Sequence, residues 1–275
     1  MSRDGKNPQA AEMAHESMVR CLEAQARAIW PQERELLERE PLGAGARVLD
    51  VACGTGEISG RLARAWPGTE ITGIDVHEPH LALARERHAD LEERVRFLPG
   101  DAYALDFPDD HFDLALCRHL LQAVPEPERI LDEMRRVVKP GGRLHVVSED
   151  YGMMHFHPTP VDVDRFWREG PMTFARRTGS DLTTGRQTWS LMRAAGLEDL
   201  DVDYVVLDPL RVPRPVLADI FLAWRDGYAA GIAAETDLTR EEVDAAFEAI
   251  LHAVSSPEGY GVWQLPVVRG RVPGS

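Results

Sequence analysis

The chain has 275 residues, 44% of them hydrophobic and 28% charged. This is the profile of one large globular domain, or of one domain with a sizeable insertion, and it excludes a disordered or fibrous chain. With 31 basic against 46 acidic residues the formal net charge is -15, a field that repels polyanions, so neither nucleic acid nor an anionic membrane is expected as a partner. Three scattered cysteines, Cys21, Cys53 and Cys117, form no disulfide framework and no zinc spacing. No apolar run is long enough to span a bilayer, and the first 30 residues hold no apolar signal segment. A cytoplasmic monomer or homodimer is the expectation.

In chain order, residues 1–8 are polar, and Gln9–Trp30 carries a helical stripe through Met18, Leu22, Ala26 and Ile29. Pro31 is expected to interrupt it, with a second, charged helix over Gln32–Glu40. From Ala46 short apolar runs alternate with helical patterns. Strands are predicted at Arg47–Ala52, Glu70–Asp75, Val95–Leu98, Phe112–Cys117 and Arg143–Ser148. Helices are predicted from the glycine loop to about Trp66, over Pro79–Leu91 and over Glu126–Val138. This alternation implies parallel strands joined by right-handed crossovers, with helices on both faces. Two further strands are expected near Asp201–Leu207 and Gly261–Val268. Two stretches interrupt the alternation. Tyr151–Thr184 is rich in Met, His and aromatic residues, and Pro213–Ser256 reads as two helices. Long insertions with aromatic content are more often functional than disordered.

Gly54-Thr55-Gly56 follows the first strand and opens a helix, although Gly60 falls one residue late for the dinucleotide pattern. By itself the loop could be only a tight strand–helix turn. Glycines here let a ligand approach the backbone, and Asp75, 19 residues after Gly56, stands where an acid accepts from both hydroxyls of an adenosine ribose. Asp50 sits at the end of the first strand, in Val-Leu-Asp-Val-Ala-Cys-Gly-Thr-Gly at 48–56. A carboxylate there repels a pyrophosphate and attracts an amino group. The ligand expected is therefore a nucleoside with a cation and no phosphates, which S-adenosyl-L-methionine satisfies.

Residues 46–149 resemble the class I S-adenosylmethionine-dependent methyltransferase family. Asp50–Gly56 is similar to its first motif, Gly73-Ile74-Asp75 to its second, and Pro99-Gly100-Asp101-Ala102 to its adenine-holding segment. Phe107–Asp113 resembles the acidic entry to the fourth strand, and Leu120–Val124 through Val137–Gly142 the helix and turn before the fifth. The resemblance implies an α/β fold, a Rossmann-like seven-stranded mixed sheet of order 3-2-1-4-5-7-6, with an N-terminal helical lid at 1–42. The methyltransferase domain would span 43–275, with 151–184 and 213–256 as substrate-covering additions. It also implies that Asp50, Gly54 and Gly56 hold the methionyl part, Asp75 the ribose, Asp101 and Ala102 the adenine edge, Val76 the adenine face, and Cys117 the floor under the sulfonium. Many members carry a histidine near the place of Ala123; here His119 comes four residues earlier, so no role transfers to it.

Other candidates rest on position. Glu149 and Tyr151 follow the fifth strand on the face where open α/β sheets bind ligands, and could equally be a solvated turn. His155 and His157 offer too few ligands for a zinc ion, and no metal is expected; one of them is the candidate base, with Glu149 beside them. Arg118 and His119 follow the fourth strand on the same face. Arg118 could orient a carboxylate or pair with Glu126 or Glu128. Trp167, Phe174, Trp224 and Tyr228 lie in the two additions and are expected to wall an acceptor pocket. Lys139 reads as a helix-end charge and Cys53 as a packed small residue.

The expected function is transfer of a methyl group from S-adenosylmethionine to an O or N atom of a small-molecule acceptor. The alternatives are a methyltransferase acting on a peptide or RNA, and a cofactor-binding protein or enzyme on the same fold that does not methylate.

Overall fold

A computed structural model describes residues 15–39 and 41–274. The predicted helical start at Gln9 lies outside the described residues. Helix α1 runs unbroken over His15–Glu38 with Pro31 inside it, which corrects the expected break. A proline in a helix interior loses one backbone hydrogen bond and costs about 3 kcal/mol. Here the turns on both sides share one bed, because Ile29, Glu33 and Leu36 are all buried. Burial on both sides of the proline outweighs the local penalty.

The expected alternation follows: β1 (Arg47–Val51), α2 (Glu57–Ala65), β2 (Glu70–Asp75), α3 (Glu78–Arg87), β3 (Val95–Pro99), β4 (Phe112–Arg118), α4 (Pro127–Val137) and β5 (Val138–Val147). Val48, Leu49, Val51, Ala115, Leu116 and Cys117 are wholly buried, as near-continuous apolar runs must be in a parallel sheet covered on both faces. Then come β6 (Met154–His157), α5 (Val163–Glu169), α6 (Pro171–Arg177), α7 (Thr188–Ala194), β7 (Glu198–Leu207), α8 (Arg214–Glu235), α9 (Arg240–Ser255) and β8 (Tyr260–Arg271).

Strands β3-β2-β1-β4-β5 are parallel neighbours, and β8 closes antiparallel on β5 while β7 pairs with its other edge. With β7 and β8 as the sixth and seventh strands, this is the expected order. The eighth strand, β6, was not foreseen. It pairs Met154–His157 with Trp263–Tyr260 on the edge of β8 that faces β5, so the chain leaves the sheet after Val147 and rejoins it in line.

Alternate residues of each strand feed opposite layers. Leu49, Val51, Ala115, Cys117, Leu144 and Val146 pack under α4 and α7. Val48, Leu114 and Leu116 pack with Ala26 and Leu37 of α1 and with α2 and α3. A large cluster joins α1, α5, α6, α8 and α9 over β7 and β8.

Helix α1 is fixed to the sheet by charge as well as by apolar contact. Glu33 is 0% exposed, with Oε1 3.1 Å from Arg118 Nε and 3.0 Å from His145 Nε2. Arg118 and His145 hold its carboxyl below the usual range against the opposing effect of burial. Removing one partner of a buried ionic cluster leaves the others uncompensated. Glu33→Ala is therefore expected to lower the unfolding free energy by about 3–5 kcal/mol in denaturant titration. Glu38→Ala, which breaks an exposed pair with Arg34, should change it by less than about 1 kcal/mol.

Candidate functional site

The chain leaves β1 through a run of left-handed residues: Ala52 at φ 58°, Gly54 at 53° and Gly56 at 75°. Only glycine adopts this region freely, and space forbids a side chain as well. A Cβ on Gly54 would lie 2.9 Å from Leu22 of α1, and one on Gly56 2.6 Å from the Phe97 ring. The loop is thus pinned between α1 and β3. Asp75 ties it to β2: its Oδ2 accepts from the Gly54 N–H at 2.9 Å and its Oδ1 from the His77 N–H at 2.8 Å. Each oxygen keeps a lone pair for a ligand.

Around this loop the predicted cofactor residues come together at the carboxyl ends of the strands. Asp50 is buried and its Oδ2 accepts from Ser59 Oγ at 2.6 Å. Burial pushes its pKa up to about 6, against the pull of that hydroxyl and of Arg118. Val76, directly after Asp75, is 65% exposed. Asp101 follows β3 and accepts from the Tyr103 N–H at 3.0 Å, and Ala102 beside it is half-buried. The Thr55 hydroxyl is buried without a hydrogen-bond partner among the described residues. These groups fit S-adenosylmethionine. A buried carboxylate suits the ammonium, the fixed Asp75 suits the ribose, and an exposed valine suits the adenine face.

On the other side of β4, Tyr151, Trp167, Phe174, Trp224, Tyr228 and Phe247 line an aromatic chamber with about 20 Å³ of free space, room for about one water. Tyr151 stacks on Trp224 at 5.0 Å and meets Trp167 edge-on at 5.4 Å. The four aromatics of the two additions therefore pack in one cluster. At its rim Glu149 is buried, and its Oε1 lies 2.7 Å from His119 Nδ1 and accepts from Gln25 Nε2 at 3.2 Å. Burial, with the Glu149 carboxylate next, holds the Tyr151 pKa well above its usual value.

Several expectations need correction. His155 and His157 alternate with the inward Met154 and Phe156 on β6 and are exposed; His155 is 64% exposed, with only a long contact to Asp164 at 3.8 Å. Strand alternation thus turns both imidazoles away from the chamber. Arg118 is occupied by Glu33 rather than by Glu126, Glu128 or an open pocket. The Cys117 side chain is wholly buried in the layer under α4, and burial raises its thiol pKa.

Leu22, Gln25 and Glu33 of α1 were missed. The available signal was a glutamine and a glutamate interrupting the buried stripe of a helix, where an unpaired polar group is costly. Among the described residues no cluster of His, Cys, Asp or Glu could hold a metal ion, and no helix is long and apolar enough to cross a membrane.

A parallel sheet with a glycine cradle at its first strand and an acid closing its second defines a nucleoside-cofactor domain. Residues 48–142 match the family described as "Methyltransferase domain". The chain is similar to demethylmenaquinone methyltransferase of Thermus thermophilus, 40% identical over 41% of this chain and 49% of that one. It is similar also to 27-O-demethylrifamycin SV methyltransferase of Amycolatopsis mediterranei, 39% identical over 38% and 39%. These matches thus span half or less of the relatives' own length. Among solved structures the [4+2]-cyclase SpnF superposes with a TM-score of 0.56 at 28% identity, over 91% of this chain and 85% of that one. Residues 48–142 carry this methyltransferase domain, of the class I S-adenosylmethionine-dependent kind. Its cofactor is S-adenosylmethionine.

The loop geometry has a direct consequence. Gly56→Ala should lose at least about 1–2 kcal/mol for the left-handed backbone alone, more with the Phe97 contact, and its melting temperature should fall accordingly. Gly43→Ala, with nothing within 4 Å of the added Cβ, should melt close to the parent protein.

Proposed function

We propose that the protein transfers the methyl group of S-adenosylmethionine to a small-molecule acceptor bound beside the glycine loop, under helix α1. What carries this reading is one juxtaposition. The glycine loop follows β1 and Glu149 follows β5, and α1 touches both: Leu22 lies over Gly54, and Gln25 bonds Glu149 at 3.2 Å. The relatives support the acceptor class, since one is named for a menaquinone precursor and another for a rifamycin.

In this reading Asp50 faces the ammonium of the cofactor, the Gly54 and Gly56 backbone its methionyl part, and Asp75 the ribose. Asp101 and Ala102 meet the adenine edge, and Val76 its face. The acceptor is held in line with the methyl group. Alignment of two bound reactants is the largest contribution such a site makes. Helix α1, as the lid over the loop, keeps water out.

A second reading keeps the cofactor and drops the transfer. It is favoured by the likeness to SpnF, whose title names a [4+2]-cyclase. Release of S-adenosylhomocysteine in the presence of naphthoquinol-type and macrolide-type acceptors separates the two. Product with these acceptors supports transfer, and intact cofactor throughout supports the cyclase-like reading.

Two measurements test the cofactor site. Asp75→Ala should bind S-adenosylhomocysteine on the order of 100-fold more weakly in calorimetry, through loss of two charge-assisted hydrogen bonds. Asp50 is ionised above about pH 6 and neutral below it, so its attraction for the ammonium is present at pH 7.5 and lost as the pH falls. S-adenosylhomocysteine should bind up to about tenfold more weakly for each pH unit below that value. Asp50→Asn should bind weakly with a flat profile between pH 5 and 7.5. Unchanged affinity in Asp75→Ala would overturn the assignment.

A further inference from the structure

Beneath α1 the sheet carries a row of polar side chains that begins at the cofactor site. Asp50 of β1 stands in register with Leu116 of β4, and Leu116 with His145 of β5. Arg118 lies two residues beyond Leu116 on β4, so these side chains share the α1 face of the sheet. Glu33 comes down from α1 onto this row, its Oε1 3.1 Å from Arg118 Nε and 3.0 Å from His145 Nε2. Asp50, Glu33 and His145 are all buried, and buried charges are poorly screened by salt.

The pair between Glu33 and Arg118 is an open one. Arg118 Nη2 and Glu33 Oε2 are both buried and have no hydrogen-bond partner among the described residues. The guanidinium fork is therefore not closed on the carboxylate. A guanidinium with a free donor turns toward a carboxylate within reach, and Asp50 stands beside it on the neighbouring strand. Burial raises the Asp50 pKa to about 6; Ser59 and Arg118 pull it down, while Glu33 and Asp75 push it up. The groups facing Asp50 are thus Arg118 of β4, Glu33 of α1, Asp75 of β2 and the Ser59 hydroxyl of α2 at 2.6 Å, with the Cys53 and Cys117 thiols. Arg118 is the one cation in this set. Ionised Asp50, Arg118 and Glu33 together carry one negative charge, which an ammonium balances. Without Glu33 the sum is zero, and Arg118 itself is the cation that Asp50 takes.

We propose that Glu33 is a positioning residue for the cofactor: it holds Arg118 away from Asp50 and so keeps the ammonium site anionic. This rests on the reading that Asp50 faces the ammonium, and it goes beyond that reading by making the site depend on α1. The second anchor of Glu33 is His145 on β5, across β4 from Asp50. The pull on the guanidinium is therefore directed away from the cofactor. Because Glu33 rides on α1, Asp50 is free to take an ammonium only while α1 is docked. Linkage makes the effect reciprocal, so a bound cofactor favours docking of α1 by the same factor. Leu22 of the same helix lies over Gly54, and the helix that covers the loop is thus the one whose charge prepares the site.

The test is calorimetry with two ligands. S-adenosylhomocysteine keeps the ammonium and lacks the sulfonium, and 5′-methylthioadenosine has neither. The parent protein should bind the first more tightly than the second. In Glu33→Gln, S-adenosylhomocysteine should bind roughly 10- to 100-fold more weakly, the range for losing one interaction with a charged group. 5′-Methylthioadenosine should bind that variant as it binds the parent. The pH profile should move as well. Arg118 against Asp50 keeps the carboxylate ionised to lower pH, so the weakening that sets in below about pH 6 in the parent should be absent from Glu33→Gln. Glu33→Gln/Arg118→Met removes both charges, and it should recover most of the lost affinity together with the pH dependence. Both variants lose the anchor of α1 and should melt below the parent, so a displaced helix would weaken both alike. Glu38→Gln, which removes an exposed charge of the same helix, should bind both ligands as the parent does. If the parent binds the two ligands equally tightly, Asp50 holds no ammonium and the cofactor reading of that residue fails on its own account. If Glu33→Gln binds S-adenosylhomocysteine as the parent does, or the double variant is as weak as Glu33→Gln or weaker, Glu33 does not act by restraining Arg118.

Discussion

The placement of α1 depends on one buried carboxylate. Glu33 reaches from the helix to Arg118 on β4 and His145 on β5, with none of the three open to solvent. Such a cluster adds little net stability over apolar packing, because desolvation cancels most of the attraction. Its effect is on specificity. An apolar helix face could slide along the sheet, whereas a charge with two partners on different strands has one position. From that position Leu22 reaches the glycine loop, Gln25 reaches Glu149, and Gln32 both donates to and accepts from the Val206 backbone of β7. The cofactor loop and the aromatic chamber are thereby tied to one rod.

The carboxyl ends of the strands collect acids. Asp50 ends β1, Asp75 ends β2, Asp101 follows β3 and Glu149 follows β5. Arg118 is the cation nearest Asp50, and Glu33 already holds it. Burial makes Asp50 reluctant to ionise unaided, and that reluctance is the physical meaning of a site that awaits a cation. A ligand with both an ammonium and a sulfonium answers it, and a dinucleotide with its phosphates does not.

Much of the cofactor half was legible in the chain because its signals are local. The left-handed turn needs Gly54 and Gly56 within three residues of each other. The strand that carries Asp75 is a short apolar run, and the spacing between them is set by one helix. The helical additions were legible from periodicity, and their four aromatics pack in one cluster. Where the reading failed, the deciding contact was distant. The HxH pair seemed to belong to the site because it follows the fifth strand. Yet β6 rejoins the sheet against β8, more than a hundred residues away, and that pairing decides which face the imidazoles take. Pro31 reads as a break on local rules, and only the burial on both of its sides keeps α1 whole.

The sequence by itself determined the doubly wound architecture, the nucleoside cofactor with a cation, and the residues that cradle it. These follow from periodicity, backbone allowances and charge, which act over a few residues. The tertiary structure alone decided the partners of the buried charges that α1 and the strand ends share. It matched Glu33 with Arg118 and His145, and Glu149 with His119 and Gln25, and it sent His155 and His157 to the solvent. A buried charge must find its complement wherever the fold brings one within about 3 Å. That neighbour is set by crossing strands and packed helices, and no spacing along the chain encodes it.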